Sequence, residues 1–431
     1  MKDSIAIFWF RRDLRLEDNT ALNAALLRHK KVLPIFIFDT NILEELEEND
    51  PRVSFIHSTL EYIDNELNKF GSGISCFKGK AETVFKHLIE KYNVTDVFLN
   101  KDYEPYALSR DKSIQNMLNA KSISLHTFKD QVIFEELEIT KDDKSPYTVF
   151  TPYKKKWLHH FNPSSCSSSS VFNPKNFYKS NTRFPSLSSI GFKPSLIKVP
   201  PFNLTVVEDY KKLRDFPSIE GTSQLSTHLR FGTVSIRNII QNLNLESVFL
   251  SELIWREFFM QILYNFPRVV SSNFKAKYNQ IQWRNDLTEF NAWCEGKTGY
   301  PIVDAGMREL NETGLMHNRV RMITAGFLCK HLLIDWRWGE AYFASKLLDY
   351  DLAANNGNWQ WAAGTGCDSA PYFRIFNPTA QQLKFDKNAL YTAKWNPDWE
   401  LSSNIPIIEH TYARKRALET YKLGLLKSTE K

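Results

Sequence analysis

Cysteine is scarce in this sequence, and long apolar runs are absent. The five cysteines, Cys76, Cys166, Cys294, Cys329 and Cys367, are scattered over 431 residues and form no C-x-x-C pair. An odd number at such spacing excludes a disulfide framework and a zinc signature, and points to reduced thiols in a cytoplasmic-type compartment. No stretch reaches the about 18 consecutive apolar residues of a membrane-spanning helix. The opening run to Phe10 breaks at once into Arg11-Arg12-Asp13-Leu14-Arg15 with no small-residue cleavage site, so it reads as a buried strand rather than a leader. A dinucleotide fingerprint is missing too, because Gly71-Ser72-Gly73 precedes a strand and lacks the third glycine. The net charge of +6 fits a polyanionic partner but is common on ordinary enzymes, so charge alone decides nothing.

What is present begins with size. A chain of 431 residues exceeds what one core usually supports, and two domains are expected. Over residues 1–130, apolar runs at Ile5–Phe10, Val32–Phe38, Ile74–Phe77, Asp96–Leu99 and Ser124–Phe128 alternate with helical patterns, which predicts an α/β domain with a doubly wound parallel sheet. Residues 131–205 carry seven prolines between Pro152 and Pro201 and the serine-rich run Ser164–Ser170, and read as a long irregular connection. From 206 to 431 the periodicity is helical. Leu250, Ile254 and Phe258 form one apolar stripe, and a long amphipathic helix is expected from near His317 to Leu332. Nine of the eleven tryptophans lie from Trp255 onward, an asymmetry that core packing does not require.

Three segments of this half carry chemistry. A helix over 251–264 places Glu252, Trp255, Arg256 and Phe259 on one face, opposite the apolar stripe. A surface salt bridge from Glu252 to Arg256 beside a partly covering tryptophan would explain that face equally simply. His317-Asn318-Arg319-Val320-Arg321-Met322 gathers an imidazole, an amide and two guanidiniums at a helix start, which suits phosphate oxygens or merely a solvated cap. Asp349-Tyr350-Asp351-Leu352-Ala353-Ala354-Asn355-Asn356-Gly357-Asn358-Trp359-Gln360-Trp361 has low helix and strand propensity, as if held by a ligand. If it is nevertheless helical, Trp359 and Trp361 must serve different surfaces, and Trp336 and Trp338 repeat the spacing.

These segments, with Glu252-Leu253-Ile254-Trp255-Arg256-Glu257-Phe258, Glu295-Gly296-Lys297-Thr298-Gly299-Tyr300-Pro301, the run Ala370–Pro378 and the opening Trp9–Arg15, closely resemble the photolyase and cryptochrome family, in particular class I cyclobutane-dimer photolyases. The resemblance spans nearly the whole chain. It implies an α/β antenna domain, a linker and an all-α FAD-binding domain, with light-driven repair of cyclobutane pyrimidine dimers in DNA by electron transfer from excited reduced FAD.

Residue by residue, the resemblance implies FAD contacts at Tyr210, Thr222, Ser223, Gln224, Leu225, Ser226, Arg321, Asp349, Tyr350, Asp351 and Asn355, the last facing flavin N5. Trp359, Trp336 and Trp293 match a relay that passes electrons from the surface, though three core tryptophans are the commoner outcome. Glu252, Trp255, Arg256, Phe259, Asn318, Arg319, Met322, Trp361 and Gln381 match positions for the flipped dimer and its DNA. Tyr106-Ala107 stands where folate-using relatives carry Asn-Glu, which speaks against a folate antenna and leaves a deazaflavin or none open. The residue types of Trp255 and Met322, and a chain that runs only a short way past Tyr421, favour repair over a cryptochrome-type photoreceptor. A cytoplasmic monomer without metal is expected.

Overall fold

The computed structural model describes residues 4–166, 173–180, 182–241, 243–401 and 405–429. Ser167–Ser170 of the serine run lie outside them. Two compact units emerge, and both are discontinuous: Met1–Glu138, Trp157–Pro201 and Leu225–Leu245 form one, and Ile139–Lys156, Phe202–Gln224 and Glu246–Lys431 the other.

The first unit is built on five parallel strands, β1 (Ser4–Phe10), β2 (Val32–Phe38), β3 (Ser75–Lys78), β4 (Asn93–Asn100) and β5 (Ser124–Phe128), in the order β3-β2-β1-β4-β5. The five sequence-predicted strands are all present. Their near-continuous apolar runs follow from burial on both faces. Ala6, Phe8 and Phe10 of β1 join α1 (Thr20–Arg28) and α2 (Pro51–Asn68) in one core layer. Ile5, Ile7 and Trp9 alternate to the other face, against α3 (Ala81–Lys91) and α4 (Pro105–Asn119).

Residues 225–245, expected with the helical half, belong to this unit for an electrostatic reason. Asp130, 1% exposed, accepts from Arg15 at 2.6 Å and from Arg237 at 2.8 Å, while Arg237 also pairs with Asp18 at 2.9 Å. The two guanidiniums hold the Asp130 carboxyl below its usual range against the opposing effect of burial. Removing either cation would leave a buried charge uncompensated, so this network fixes the path of the chain that carries α5 (Leu225–Phe231).

The second unit is helical. Its core gathers Trp293, side chains of α7 (Pro301–Thr313) and α8 (Asn318–Gly326), Trp336 and Phe343 of α9 (Trp336–Lys346), and Trp359 and Ala363 of α10 (Leu352–Ala363). A further helix, α6 (Val248–Asn265), packs on α10. Two glycines permit the closeness. A Cβ at Gly357 would come within 2.1 Å of the Phe259 ring, and one at Gly339 within 2.1 Å of the Trp359 indole. The chain closes with α11 (Pro378–Phe385) and α12 (His410–Thr429). No described helix is long and apolar enough to cross a membrane.

Candidate functional site

The segment expected to resist helix formation is helical. Asp351 caps α10 by accepting from the Ala354 N–H at 3.1 Å, and Gly364 ends it in the left-handed conformation, φ 81°. Caps at both ends and burial among α6, α8 and α9 override the weak propensity of its asparagines and glycine. The two-residue step then has the anticipated effect: Trp359 is 2% exposed inside the core, while Trp361 is half-buried and faces a cleft.

Asn355 lies on the buried side of α10. Its Nδ2 donates to the Glu340 backbone oxygen at 3.1 Å and to Glu340 Oε1 at 2.8 Å. A backbone carbonyl can only accept, so the amide must present its nitrogen to α9 and its oxygen away from it. Sequence reasoning missed Glu340, whose carboxyl burial pushes up from its ordinary range. The dyad could be found only from the fold, since 15 residues and a turn separate its members.

At the start of α8, His317 caps the helix with Nδ1 accepting from the Arg319 N–H at 3.2 Å. The acceptor role at Nδ1 puts the proton on Nε2. Burial and the neighbouring Arg321 guanidinium push this imidazole down to about 4, so it is neutral near pH 7. Arg319 reaches Asp215 at 2.6 Å and lies over the Phe385 ring at 4.3 Å. Arg321 bonds Asp349 Oδ2 at 3.0 Å. Among the described residues, three buried polar atoms of this neighbourhood lack a partner: His317 Nε2, Arg319 Nε and Asp349 Oδ1. Two donors and an acceptor left unpaired in one place are what a polar ligand would satisfy.

Glu252 on α6 does not pair with Arg256. It accepts from Arg214 Nη1 at 2.5 Å, and Arg214 in turn lies 5.3 Å from the centre of the Tyr210 ring. Tyr210 is pushed up to about 12 by burial and by the Glu252 charge, and stays a neutral phenol. The expected mixed face of α6 is covered only in part: Glu252, Trp255 and Arg256 are half-buried and Phe259 is buried. Phe259 is 5% exposed and packed on Gly357, so it is a core residue and not a DNA contact. Trp255 is half-buried, with one face stacked on Phe150 at 3.7 Å.

The tryptophans need a second correction. Trp293 has no exposed surface, so it cannot be the surface end of a relay; it sits edge-on to Trp359 at 6.1 Å and donates to the Thr324 carbonyl at 3.1 Å. Trp336 is equally buried and donates to Asn273 at 2.8 Å. Half-buried indoles on the same core are Trp283, Trp338 and Trp395.

The remaining expected contacts are dispersed. Thr222 and Ser223 are half-buried and buried, and Gln224 takes φ +54°, unusual for a residue other than glycine. Leu225 and Ser226 open α5 of the first unit, with the Leu225 side chain buried. Tyr350 is half-buried in the loop before the Asp351 cap, Arg256 and Gln381 are half-buried, and Asn318 is exposed. Met322 and Trp361 both line a small, open cleft, completed by Gly326, Lys330, Arg374 and Phe376 among others.

With this geometry in view, the comparison with known proteins is direct. Residues 6–171 match the profile of DNA photolyase, and residues 249–422 that of the FAD binding domain of DNA photolyase. A deoxyribodipyrimidine photo-lyase of Vibrio cholerae is 38% identical over 426 residues, covering 91% of this chain and 90% of the relative. The chain belongs to the DNA photolyase family. Among solved structures of photolyases, a bacterial class III enzyme from Agrobacterium tumefaciens superposes with a TM-score of 0.85 at 32% identity, covering 98% of both chains. An archaeal photolyase from Sulfolobus tokodaii with two FAD molecules gives 0.81 at 34% identity, covering 97% of this chain and 99% of that one. The helical unit is therefore the FAD-binding domain of a photolyase, and the unpaired donors and acceptor at His317, Arg319 and Asp349 fit a polar cofactor there.

Proposed function

We propose that this photolyase-family chain repairs cyclobutane pyrimidine dimers in DNA under blue light, with the cleft between Met322 and Trp361 receiving the flipped dimer. The observation that carries the reading is α10 itself. One helix presents Asn355 and Trp359 to its buried side and Trp361 to that cleft. Aromatic walls there replace the stacking that a base loses on leaving the duplex, and a damaged pair is cheaper to extrude.

FAD, when bound, supplies the excited reduced flavin that gives an electron to the dimer. Arg321, Asp349, Tyr350, Asp351, Tyr210, Thr222, Ser223 and Gln224 would hold it. Asn355, its orientation set by Glu340, would offer its neutral amide oxygen to the flavin. Glu252 accepts a hydrogen bond from the pyrimidine edge at the carboxylate oxygen that Arg214 leaves open, and Trp255 contributes its uncovered face. Arg256, Asn318, Arg319 and Gln381 meet the DNA. Trp359 and Trp336 carry electrons inward, and one of the half-buried indoles Trp283, Trp338 or Trp395 takes the surface role expected of Trp293. A deazaflavin antenna or none is favoured over folate: where folate-using relatives carry Asn-Glu this chain has Tyr106, which donates to Asp39 at 2.6 Å, and the buried Ala107. The protein acts as a cytoplasmic monomer.

The test is repair of a defined thymine dimer in duplex DNA by the reduced, FAD-loaded protein under blue light. Loss of dimer with light and none in the dark is expected. Dimer binding without any loss of dimer would sink the reading in favour of a photoreceptor. An absorption spectrum of the purified protein reports the flavin and any antenna band.

A further inference from the structure

Lys330 is a cation in an interior with little to receive it. It lies in the π-helical turn Phe327–His331 that follows α8, where a regular amphipathic helix was expected, and it is 2% exposed. Desolvation pushes its ammonium down to about 7. Nζ donates to the Ala363 carbonyl at 2.7 Å, reaches toward the Tyr372 carbonyl at 3.4 Å, and lies 3.8 Å from the centre of the Tyr421 ring.

Both carbonyls belong to segments whose neighbouring residues line the cleft, Trp361 and Ala362 before Ala363, and Pro371 and Arg374 on either side of Tyr372. Ala363 is the last residue of α10, two positions beyond Trp361, and its carbonyl is among those a helix end leaves without an intrahelical partner. Tyr372 lies in the irregular segment 364–377, which contributes Ala370, Pro371, Arg374 and Phe376 to the cleft lining. Lys330 itself lines the floor, on the helix row Met322, Gly326, Lys330.

Stability alone does not call for a lysine. The Tyr421 hydroxyl already donates to the Ala363 carbonyl at 2.7 Å, and an apolar side chain of similar length would avoid the cost of burying charge. What an ammonium adds is a single point that ties together two carbonyls from two segments that line the cleft. A π-turn at this place, a geometry that recurs at functional sites, is what lets the side chain reach both.

We propose that Lys330 is a positioning residue of the lesion pocket: by joining the end of α10 to Tyr372 it fixes the gap between Trp361 and the rim 370–376, and so sets the affinity for dimer-bearing DNA. The proposal rests on the reading of this cleft as the dimer pocket. It places no demand on the flavin, which Lys330 does not serve.

The test compares FAD-loaded wild type with Lys330→Met. Expected are an unchanged flavin spectrum and photoreduction rate, a melting temperature no lower than wild type, and turnover at saturating DNA within about twofold. The KM and dissociation constant for dimer-bearing duplex should rise about tenfold, with affinity for undamaged duplex unmoved. Lys330→Gln, which keeps a donor but no charge, should fall between the two. A wild type that prefers the dimer and a Met variant that prefers it equally overturns the role of the lysine alone. A wild type with no such preference removes the dimer pocket and the proposal with it. Failure of both variants to fold or retain FAD makes Lys330 a structural group and also overturns the proposal.

Discussion

At the scale of single residues, the site is organised by which atom each side chain has left over. Asn355 uses its nitrogen on Glu340 and keeps its oxygen. Glu252, held by Arg214, keeps its second carboxylate oxygen. Glu252→Ala should therefore lower the yield of dimer splitting in the reduced protein about tenfold or more, the loss of one charge-assisted hydrogen bond, with flavin photoreduction unaffected. Trp359→Phe should do the reverse. Photoreduction of oxidised flavin slows at least about tenfold, yet repair after chemical reduction stays at the wild-type level; equal loss in both assays would remove Trp359 from electron delivery. The roles expected of these residues came from the family motifs that contain them, not from residue type and spacing alone. Glu340 and Arg214 were not legible, because an ordinary glutamate and arginine gain their roles only by facing Asn355 and Glu252 across space.

At the scale of elements, α10 depends on close approach more than on propensity. Its glycine and asparagines weaken a helix in isolation, but Gly357 lets the Phe259 ring of α6 lie against the backbone. Gly357→Ala improves helix propensity by about 1 kcal/mol and forces a methyl into that ring. Overpacking should win, with a net loss of about 1–3 kcal/mol in thermal or denaturant unfolding. Pairing the change with Phe259→Leu should recover much of it, and an unchanged melting temperature in Gly357→Ala would show that the helices separate freely. The same contact explains why Phe259 was misplaced by periodicity. A seven-residue repeat identifies a shared face of α6, but only the arrival of α10 decides whether that face is open or covered.

At the scale of the whole molecule, the helical domain buries histidine in its neutral form. His331, 1% exposed, is pushed down to about 3 by burial and by His410, whose Nδ1 lies 2.9 Å from its Nε2. Its folded value lies below the unfolded one near 6.5, so the unfolded chain binds the proton first as pH falls. This group's contribution is present above about pH 6.5 and declines steadily between about 6.5 and 3. Going from pH 7 to pH 5, His331→Phe should lose less stability than wild type, by about 2 kcal/mol in denaturant unfolding. Parallel curves for the two proteins would mean that His331 is hydrated in the folded state.

The sequence by itself determined the class of the molecule. Apolar strands buried on both faces call for a covered parallel sheet, and long motifs in order identify the family. Tertiary structure decided which side chains are reachable. It sent Trp293 and Phe259 into the core, drew residues 225–245 to the α/β unit through Arg237 and Asp130, and assembled a cleft from residues 322, 330, 361 and 374. Exposure and pairing are properties of neighbours distant in the chain, and no local pattern encodes them.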